Sequence, residues 1–471
     1  MLSALLTIAL AVTVKSQAVL SVRQASTITV DLSKTFQTMD GFGVCENFQR
    51  AVQMKNLSEP LQRYALDLLW NQTSGAGFSI LRNGIGSQPN SSDNAMISIQ
   101  PENPGGPDAP PKYQWDGYDN AQVWLSLEAS NTYGVKSIYA NAWSAPGYMK
   151  TNDNERAGGY LCGVTGTNCT SGDWRQAYAN YLVQYITYYK ESGVKISQVG
   201  FLNEPDYVAT YSSMLSDGQQ AADFIKILRP TLDKAGYTDV KIACCDTTGW
   251  SKQQERMSGL SSVSNLLGTI TSHSYSSQPI DPIDTPHNVW QTENADLSGP
   301  WDATWYRNDS KGEGLLWANK ISDAITLGHV SAYFYWIGVQ GGPTNSKLVR
   351  ISDDKTTVTP SKRFWAFANW SRHVRPGAVR VGATGGPSEA KVTAFKNVDG
   401  KIAVQVIQGG DRSEVVTVKV DGFKSGAAKA WITNGEHDVD EQAVTLASDG
   451  GSASAQVPGR SMVTFVLEPA K

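Results

Sequence analysis

From about residue 39, short apolar and β-branched runs alternate with longer stretches whose apolar positions recur every three or four residues. The short runs are "MDGFGV", "FSILRNGIG", "KSIYANAWS", "ISQVGFLNE", "VKIACCDT", "TITSHSY", "HNVWQTE" and "VSAYFYWIG", and each predicts a strand. Strands that take turns with helical stretches predict parallel βα units, for which a closed barrel is the economical arrangement. The helical signal is strongest after Asp173, where Trp174, Ala177, Tyr178, Tyr181, Leu182, Tyr185, Ile186 and Tyr189 form one stripe. That stripe predicts a helix packed on a sheet, with its tyrosines in the core rather than serving as a sugar platform.

After "RHVRPG" (372–377) the pattern changes to a period of two with turn dipeptides. "KVTAFKNVDGKIAVQVI" reads as a hairpin around Asp399-Gly400, and "EVVTVKVDGF", "AKAWIT" and "RSMVTFVLE" continue the alternation. "STITVDL" (26–32) alternates in the same way and adds to the same sheet system. The expected fold is therefore α/β, a (β/α)8 TIM barrel over 39–376 with a β-sandwich side domain made of 19–38 and 377–471. "PENPGGPDAPP" (101–111) has too much proline and glycine for regular structure and reads as a loop.

The first residues, "MLSALLTIALAVTVKSQA", form an apolar run too short to span a bilayer comfortably, closed by Ser16-Gln17-Ala18 with small residues where a signal peptidase reads. They predict a signal peptide over 1–18 and an extracellular, secreted protein. Sequons at Asn56, Asn71, Asn90, Asn168, Asn308 and Asn369 agree with secretory passage and are candidate glycosylation sites. No later run is long enough for a membrane span, so no membrane partner is expected. With 40 Lys and Arg against 44 Asp and Glu, a net charge of -4 excludes the basic surface of a nucleic-acid binder. Charged residues are only 18% of the chain while Trp (14) and Tyr (19) are plentiful, which suits a neutral or mildly charged substrate such as sugar.

Cys162 and Cys169 bracket the glycine-rich "GVTGTN" and are the expected disulfide, whereas Cys45, Cys244 and Cys245 cannot be paired from sequence. The histidines at 273, 287, 329, 373 and 437 are scattered and no HExxH or CxxC spacing occurs, so no metal and no cofactor are expected.

Catalytic groups of a barrel lie at the C-terminal ends of its strands. Glu204 ends the fourth run in "GFLNEPDYV" and Glu293 ends the seventh in "VWQTE", across the barrel mouth from one another. Two such carboxylates are what glycoside hydrolysis needs, one to protonate the leaving oxygen and one to attack the anomeric carbon. Around them, Asn203 is placed to donate to a sugar 2-hydroxyl, Tyr275 to orient Glu293, and Arg82 to keep Glu293 ionised. Trp143 and Trp336 offer apolar faces to a sugar ring, the bland alternative for either being barrel filling. A serine hydrolase is disfavoured because no G-x-S-x-G elbow occurs.

"DGFG" (40–43), "LRNGIG" (81–86), "NAWSAPGYMK" (141–150), "GFLNEP", "TSHSY", "WQTE" and "RSMVTFV" resemble, in order, the blocks of glycoside hydrolase family 30. "FQRA" (48–51), "LCGVTG", "GDWRQAYANYL", "QQAADFIKILRPTLD" and "FWAFANWSR" are similar to its fungal xylanase branch, the subfamily 7-like enzymes. The resemblance implies a retaining enzyme with Glu204 as acid/base and Glu293 as nucleophile, acting on xylan of the plant cell wall, and a monomer is expected. Arg50 looks like the arginine that similar fungal xylanases present to a glucuronic acid branch, a carboxylate that a guanidinium fork suits. "GVQGGPTNSKLVRIS", after the eighth run, does not carry over the contacts that bacterial glucuronoxylanases of the family make there. The loop 87–118 motivates release of xylobiose from chain ends. The alternatives are a β-1,6-galactanase or β-1,6-glucanase of the same family and, from a different class, a non-catalytic carbohydrate-binding relative.

Overall fold

The computed structural model describes residues 25–90 and 94–470. The expected signal peptide lies outside the described residues, as do Ser91 and Ser92 of the Asn90 sequon. After β1 (Ala25–Thr38) come the parallel strands β2 (Gly41–Cys45), β3 (Ile80–Ile85), β4 (Ser137–Ala142), β5 (Gln198–Gly200), β6 (Lys241–Thr247), β7 (Thr269–His273), β8 (Asn288–Glu293) and β9 (Ala332–Gln340). Each pairs with the next, and β9 pairs with both β2 and β8, so the ring closes. Strands β2, β3 and β7 are buried along their whole length, so polar residues on them such as Arg82, Asn83 and His273 find partners inside the protein. Beyond its contact with β8, β9 pairs with β10 (Lys347–Ile351), which carries the antiparallel β11 (Val358–Pro360).

Helices α1 (Arg50–Lys55) and α2 (Glu59–Trp70) follow β2, α3 (Gln122–Leu127) follows β3, α4 (Arg175–Glu191) follows β4, α5 (Gly218–Lys234) follows β5 and α6 (Trp250–Leu260) follows β6. Helix α7 (Gly314–Thr326) follows β8, and α8 (Lys362–His373) follows β9 and its extension. Between β7 and β8 no α-helix forms, because Pro279, Pro282 and Pro286 remove amide donors across the whole connection. Helix α5 starts where the sequence supplies a reciprocal cap, the Asp217 carboxylate accepting from the Gln220 amide and the Gln220 side chain from Asp217.

The tyrosine stripe of α4 is buried and also polar at its tips. Tyr185 and Tyr189 donate to Asp119 Oδ2 at 2.7 and 2.6 Å, Tyr178 donates to Phe201 O at 3.0 Å, and Tyr181 donates to Gly86 O. The stripe thus clamps the long connection between β3 and α3. Burial pushes Asp119 up to about 6, against the hydrogen bonds from Tyr189 and Tyr185 that favour its anion.

The remaining strands are β12 (Val379–Gly385), β13 (Ala390–Lys396), β14 (Ile402–Gln408), β15 (Glu414–Val420), β16 (Ser425–Thr433), β17 (Asp438–Gln442), β18 (Thr445–Leu446), β19 (Ser452–Val457) and β20 (Ser461–Pro469). They form a second curled sheet around Val404, Val416, Val418 and Phe465. Strand β1 lies inside it, antiparallel to β12 and parallel to β15.

Cys162 and Cys169 are joined with their Cα atoms 5.7 Å apart. Cys244 and Cys245, adjacent on β6, are joined to each other, and Cys45 is buried and unpaired. Among the candidate glycosylation sites, Asn369 is corrected by the structure. It faces inward from α8, its amide donating to Thr433 Oγ1 at 2.8 Å and its oxygen accepting from Thr464 Oγ1 at 2.6 Å, so no space remains for a glycan. Asn56, Asn90, Asn168 and Asn308 are exposed and Asn71 is half-buried.

Glycopeptide mass spectrometry is expected to find Asn369 unmodified, and a glycan there would contradict this packing. Asn369→Ala strands two threonine hydroxyls and is expected to cost about 2–4 kcal/mol in a denaturant melt.

Candidate active site

The barrel interior is organised around a positive charge. Arg82, on β3, is fully buried and donates to Glu293 Oε2 at 2.5 Å, Asn203 Oδ1 at 2.7 Å and Asp246 Oδ2 at 3.2 Å. The Trp143 ring lies 4.4 Å from the guanidinium carbon. Burial works against this charge, but Asp246 and Glu293 outweigh it and hold Arg82 protonated above its ordinary range.

Asp246 reaches the centre because β6 bulges, with a register shift between Cys245 and Thr247 and a φ of 51° at Asp246. Its carboxylate accepts from Tyr139 Oη and Asn141 Nδ2, both at 2.6 Å, and from the Thr292 hydroxyl. Burial again opposes charge, and Arg82, His273, Thr292 and Tyr139 hold it below the usual carboxylate range. Its backbone carbonyl accepts from the Glu204 amide at 2.7 Å, which fixes the turn in which Glu204 takes a φ of 49°.

Glu204 and Glu293 both sit nearly buried at the mouth. Tyr211 Oη donates to Glu204 Oε2 at 2.5 Å, and His273 Nδ1 lies 3.2 Å from Glu204 Oε1. Tyr275 Oη donates to Glu293 Oε1 at 2.8 Å, and His273 Nε2 lies 3.5 Å from Glu293 Oε2. An oxygen of each carboxylate and a nitrogen of His273 fall within 4.8 Å of one another. That places the carboxyls in the short-separation class of about 5–5.5 Å rather than the wide one that leaves room for a water. The three residues also have the donor set of a metal site, but Glu293 already takes a guanidinium, and the arrangement is that of a proton network.

Burial raises both carboxyls. For Glu204, the hydrogen bond and charge of His273 and the Tyr211 hydroxyl bring it below its usual value, whereas Glu293 stays above despite His273 and Arg82. Burial pushes His273 down, and the charge of Glu293 with the hydrogen bond to Glu204 reverse this and raise it. These directions describe a proton resting on the imidazole side of the His273–Glu204 contact, so the groups titrate as a set. Glu293 is bonded directly to the Arg82 guanidinium, whereas Glu204 has the closer contact with the imidazole.

The other candidates divide. Asn203 lies in the network, and its bond to Arg82 turns its amide nitrogen away from the guanidinium. Arg82 lies fully buried beneath the site, where it touches the carboxylates of Glu293 and Asp246 and is a positioning residue. Trp143 is 2% exposed, with Arg82 over its ring and Phe48 edge-on at 5.3 Å, and is corrected from sugar platform to packing. Trp336 on β9 is half-buried, 6.1 Å from Phe48. Arg50 opens α1, and its guanidinium donates to Phe48 O and Asn94 Oδ1. Phe48 thereby joins Arg50, Trp336 and Tyr211 around one mouth.

Sequence reasoning passed over His273, Asp246, Tyr211 and Phe48. The first two end "TITSH" and "KIACCD" and obey the same strand-end rule that found Glu293, whereas nothing in the sequence signals the two loop aromatics.

A parallel barrel whose strand ends converge on two carboxylates and a fixed guanidinium is the equipment of glycoside hydrolysis. A model described as Glycosyl hydrolase family 59 matches residues 39–351, and one described as Glycosyl hydrolase family 30 beta sandwich domain matches 377–465. The structure is similar to the catalytic domain of GH30 xylanase C from Talaromyces cellulolyticus, with a TM-score of 0.88 and 45% identity over 94% of this chain and 99% of that one. Glucuronoxylanase XynC of Bacillus subtilis is 23% identical over 364 residues, 74% of this chain and 79% of that protein. Endo-1,6-beta-D-glucanase neg1 of Aspergillus fumigatus is 25% identical over 464 residues, 92% of this chain and 86% of that protein. The family 59 match stops at the barrel, while the 45% likeness runs through both parts of the molecule. The chain belongs to glycoside hydrolase family 30.

Asp246 supplies a pH signature. With its folded value depressed, its stabilisation is fully present above the unfolded value of about 3.9 and is lost as pH falls through the folded one. Melting temperatures from about pH 5 to about pH 2.5 are expected to fall more steeply for the native protein than for Asp246→Asn. Parallel curves would show that the carboxylate is not held down. Arg82→Met, which strands Asp246 and Glu293, is expected to cost about 3–5 kcal/mol at neutral pH.

Proposed function

We propose that the protein is a secreted, retaining endo-β-1,4-xylanase that acts on glucuronoxylan. The observation that carries the mechanism is the pair Glu204 and Glu293, whose partners differ in kind: a guanidinium and a phenol for Glu293, an imidazole and a phenol for Glu204. Glu293, ion-paired with Arg82, attacks the anomeric carbon. Glu204 protonates the departing oxygen, drawing on the proton it shares with His273. The glycosidic bond breaks as the ester to Glu293 forms. Glu204, now a carboxylate, then takes a proton from the water that attacks the same carbon, which releases Glu293 and restores the original configuration.

The choice of xylan rests on the 45% likeness to a xylanase. Arg50, beside Phe48, which in turn neighbours Trp336, supports a preference for glucuronic acid branches, because a guanidinium suits a carboxylate. The likeness to an endo-1,6-β-glucanase motivates the second reading, in which the same pair cuts a β-1,6-linked glucan.

Incubation with glucuronoxylan, unbranched xylan and β-1,6-glucan, followed by product analysis, separates the two. Branched xylo-oligosaccharides are expected from the first, with the anomeric configuration of fresh products retained by NMR and the rate reduced more than about 1,000-fold in Glu293→Gln. Cleavage of the glucan alone would overturn the substrate and keep the mechanism. Tyr211→Phe removes a donor to the Glu204 carboxylate, so the acid should stay protonated to higher pH. The alkaline limb of the kcat/KM profile is expected to move up by about 0.5–1 unit, and an unmoved limb would remove Tyr211 from the acid's environment.

A further inference from the structure

The turn that carries Glu204 continues into an aromatic surface that the mechanism above does not use. Tyr207 is 52% exposed and Val208 57%, with Tyr160 and Tyr211 also open to solvent close by. Scattered exposed apolar groups mean little, but these stand on a built support. The amide of Tyr207 donates to Glu204 O at 2.9 Å, which fixes the backbone turn between the two residues, and Tyr211 reaches the Glu204 carboxylate itself.

Beneath this surface, the connection after β4 pairs with the one after β5. Ala157 N donates to Ala209 O at 3.0 Å, Ser213 N to Glu155 O at 2.9 Å and Leu215 N to Gly159 O at 2.7 Å. Buried Lys150 ties both connections, donating to Asn154 O at 2.7 Å and Ser213 O at 2.6 Å. Gly158 has a φ of 69°, and a side chain there would press on Val208 and Leu215 at 3.2 Å. The Cys162–Cys169 bond closes the same connection. Such a surface is pre-organised and loses little entropy when it binds.

In a retaining glycosidase the sugar that stays behind is bonded to the nucleophile, while the departing part leaves past the acid. Resting on the proposed function, we infer that Tyr207, with Val208 beside it, forms the binding site for the first sugar on the departing side of the cut bond. The ring offers an apolar face to the sugar's C–H groups, and its short tether to Glu204 couples binding of that sugar to placement of the leaving oxygen at the acid.

The test compares two substrates in the full-length protein. Xylotetraose has departing-side sugars, whereas β-xylobiosyl fluoride has none. In Tyr207→Ala, the ratio of kcat/KM on xylotetraose to that on the fluoride is expected to fall about three- to tenfold, and Tyr207→Trp should restore it. Transfer from the covalent intermediate to added xylobiose, relative to water, should fall by a similar factor. Equal losses on both substrates, or no loss on either, would overturn the assignment. If the wild-type protein turns over neither xylo-substrate and leaves glucuronoxylan uncut, the choice of xylan has failed. The same ratio is then measured with β-1,6-linked glucotetraose and gentiobiosyl fluoride, because the stacking does not depend on linkage.

Discussion

A guanidinium held at the centre of a closed barrel, away from water, is costly unless it is surrounded by acceptors. Arg82, on β3, meets that demand by gathering acceptors from three other places in the chain: the turn after β5, the bulge of β6 and the end of β8. Each partner is in turn held by others, Asp246 by Tyr139, Asn141 and Thr292, and Glu293 by Tyr275. The positions of both mouth carboxylates follow from this arrangement. Glu293 is bonded to Arg82 directly, and the Glu204 turn hangs from the Asp246 carbonyl. The two mouth carboxylates are thereby both positioned by one buried charge.

The connections at the mouth are rigid for a related reason. Each uses polar atoms of otherwise apolar side chains to satisfy a buried backbone or carboxylate. The α4 tyrosines pack as core along their rings and spend their hydroxyls on Asp119, Gly86 and Phe201. Lys150 plays the same part between the connections after β4 and β5. Its ammonium, pushed down to about 7 by burial, is directed at two carbonyls. Rigid connections suit an extended polysaccharide, since the surface that receives it need not be ordered on binding.

The second sheet is attached through interlocking polar contacts as well as apolar packing. Asn369 on α8 is the clearest instance, and it shows how a sequence motif misleads when context is missing. The tripeptide Asn369-Trp370-Ser371 has the form of a glycan acceptor, yet its amide fastens a barrel helix to β16 and β20. A three-residue pattern carries no information about burial.

What the sequence determined by itself was local or periodic. Short apolar and β-branched runs marked the barrel strands, the three-and-four stripe marked α4, and period-two alternation marked the second sheet, because each reflects how one element meets its own core. The strand-end rule found Glu204 and Glu293 for the same reason. Only tertiary structure decided that Trp143 is packing, that Arg82 lies beneath the carboxylates, that Cys244 pairs with its neighbour, and that His273 bridges Glu204 and Glu293. It also placed Tyr211 against Glu204. These are relations between residues distant in the chain or set by a bulge or turn. A side chain's depth and partners depend on where other strands arrive, and no spacing along the sequence encodes that arrival.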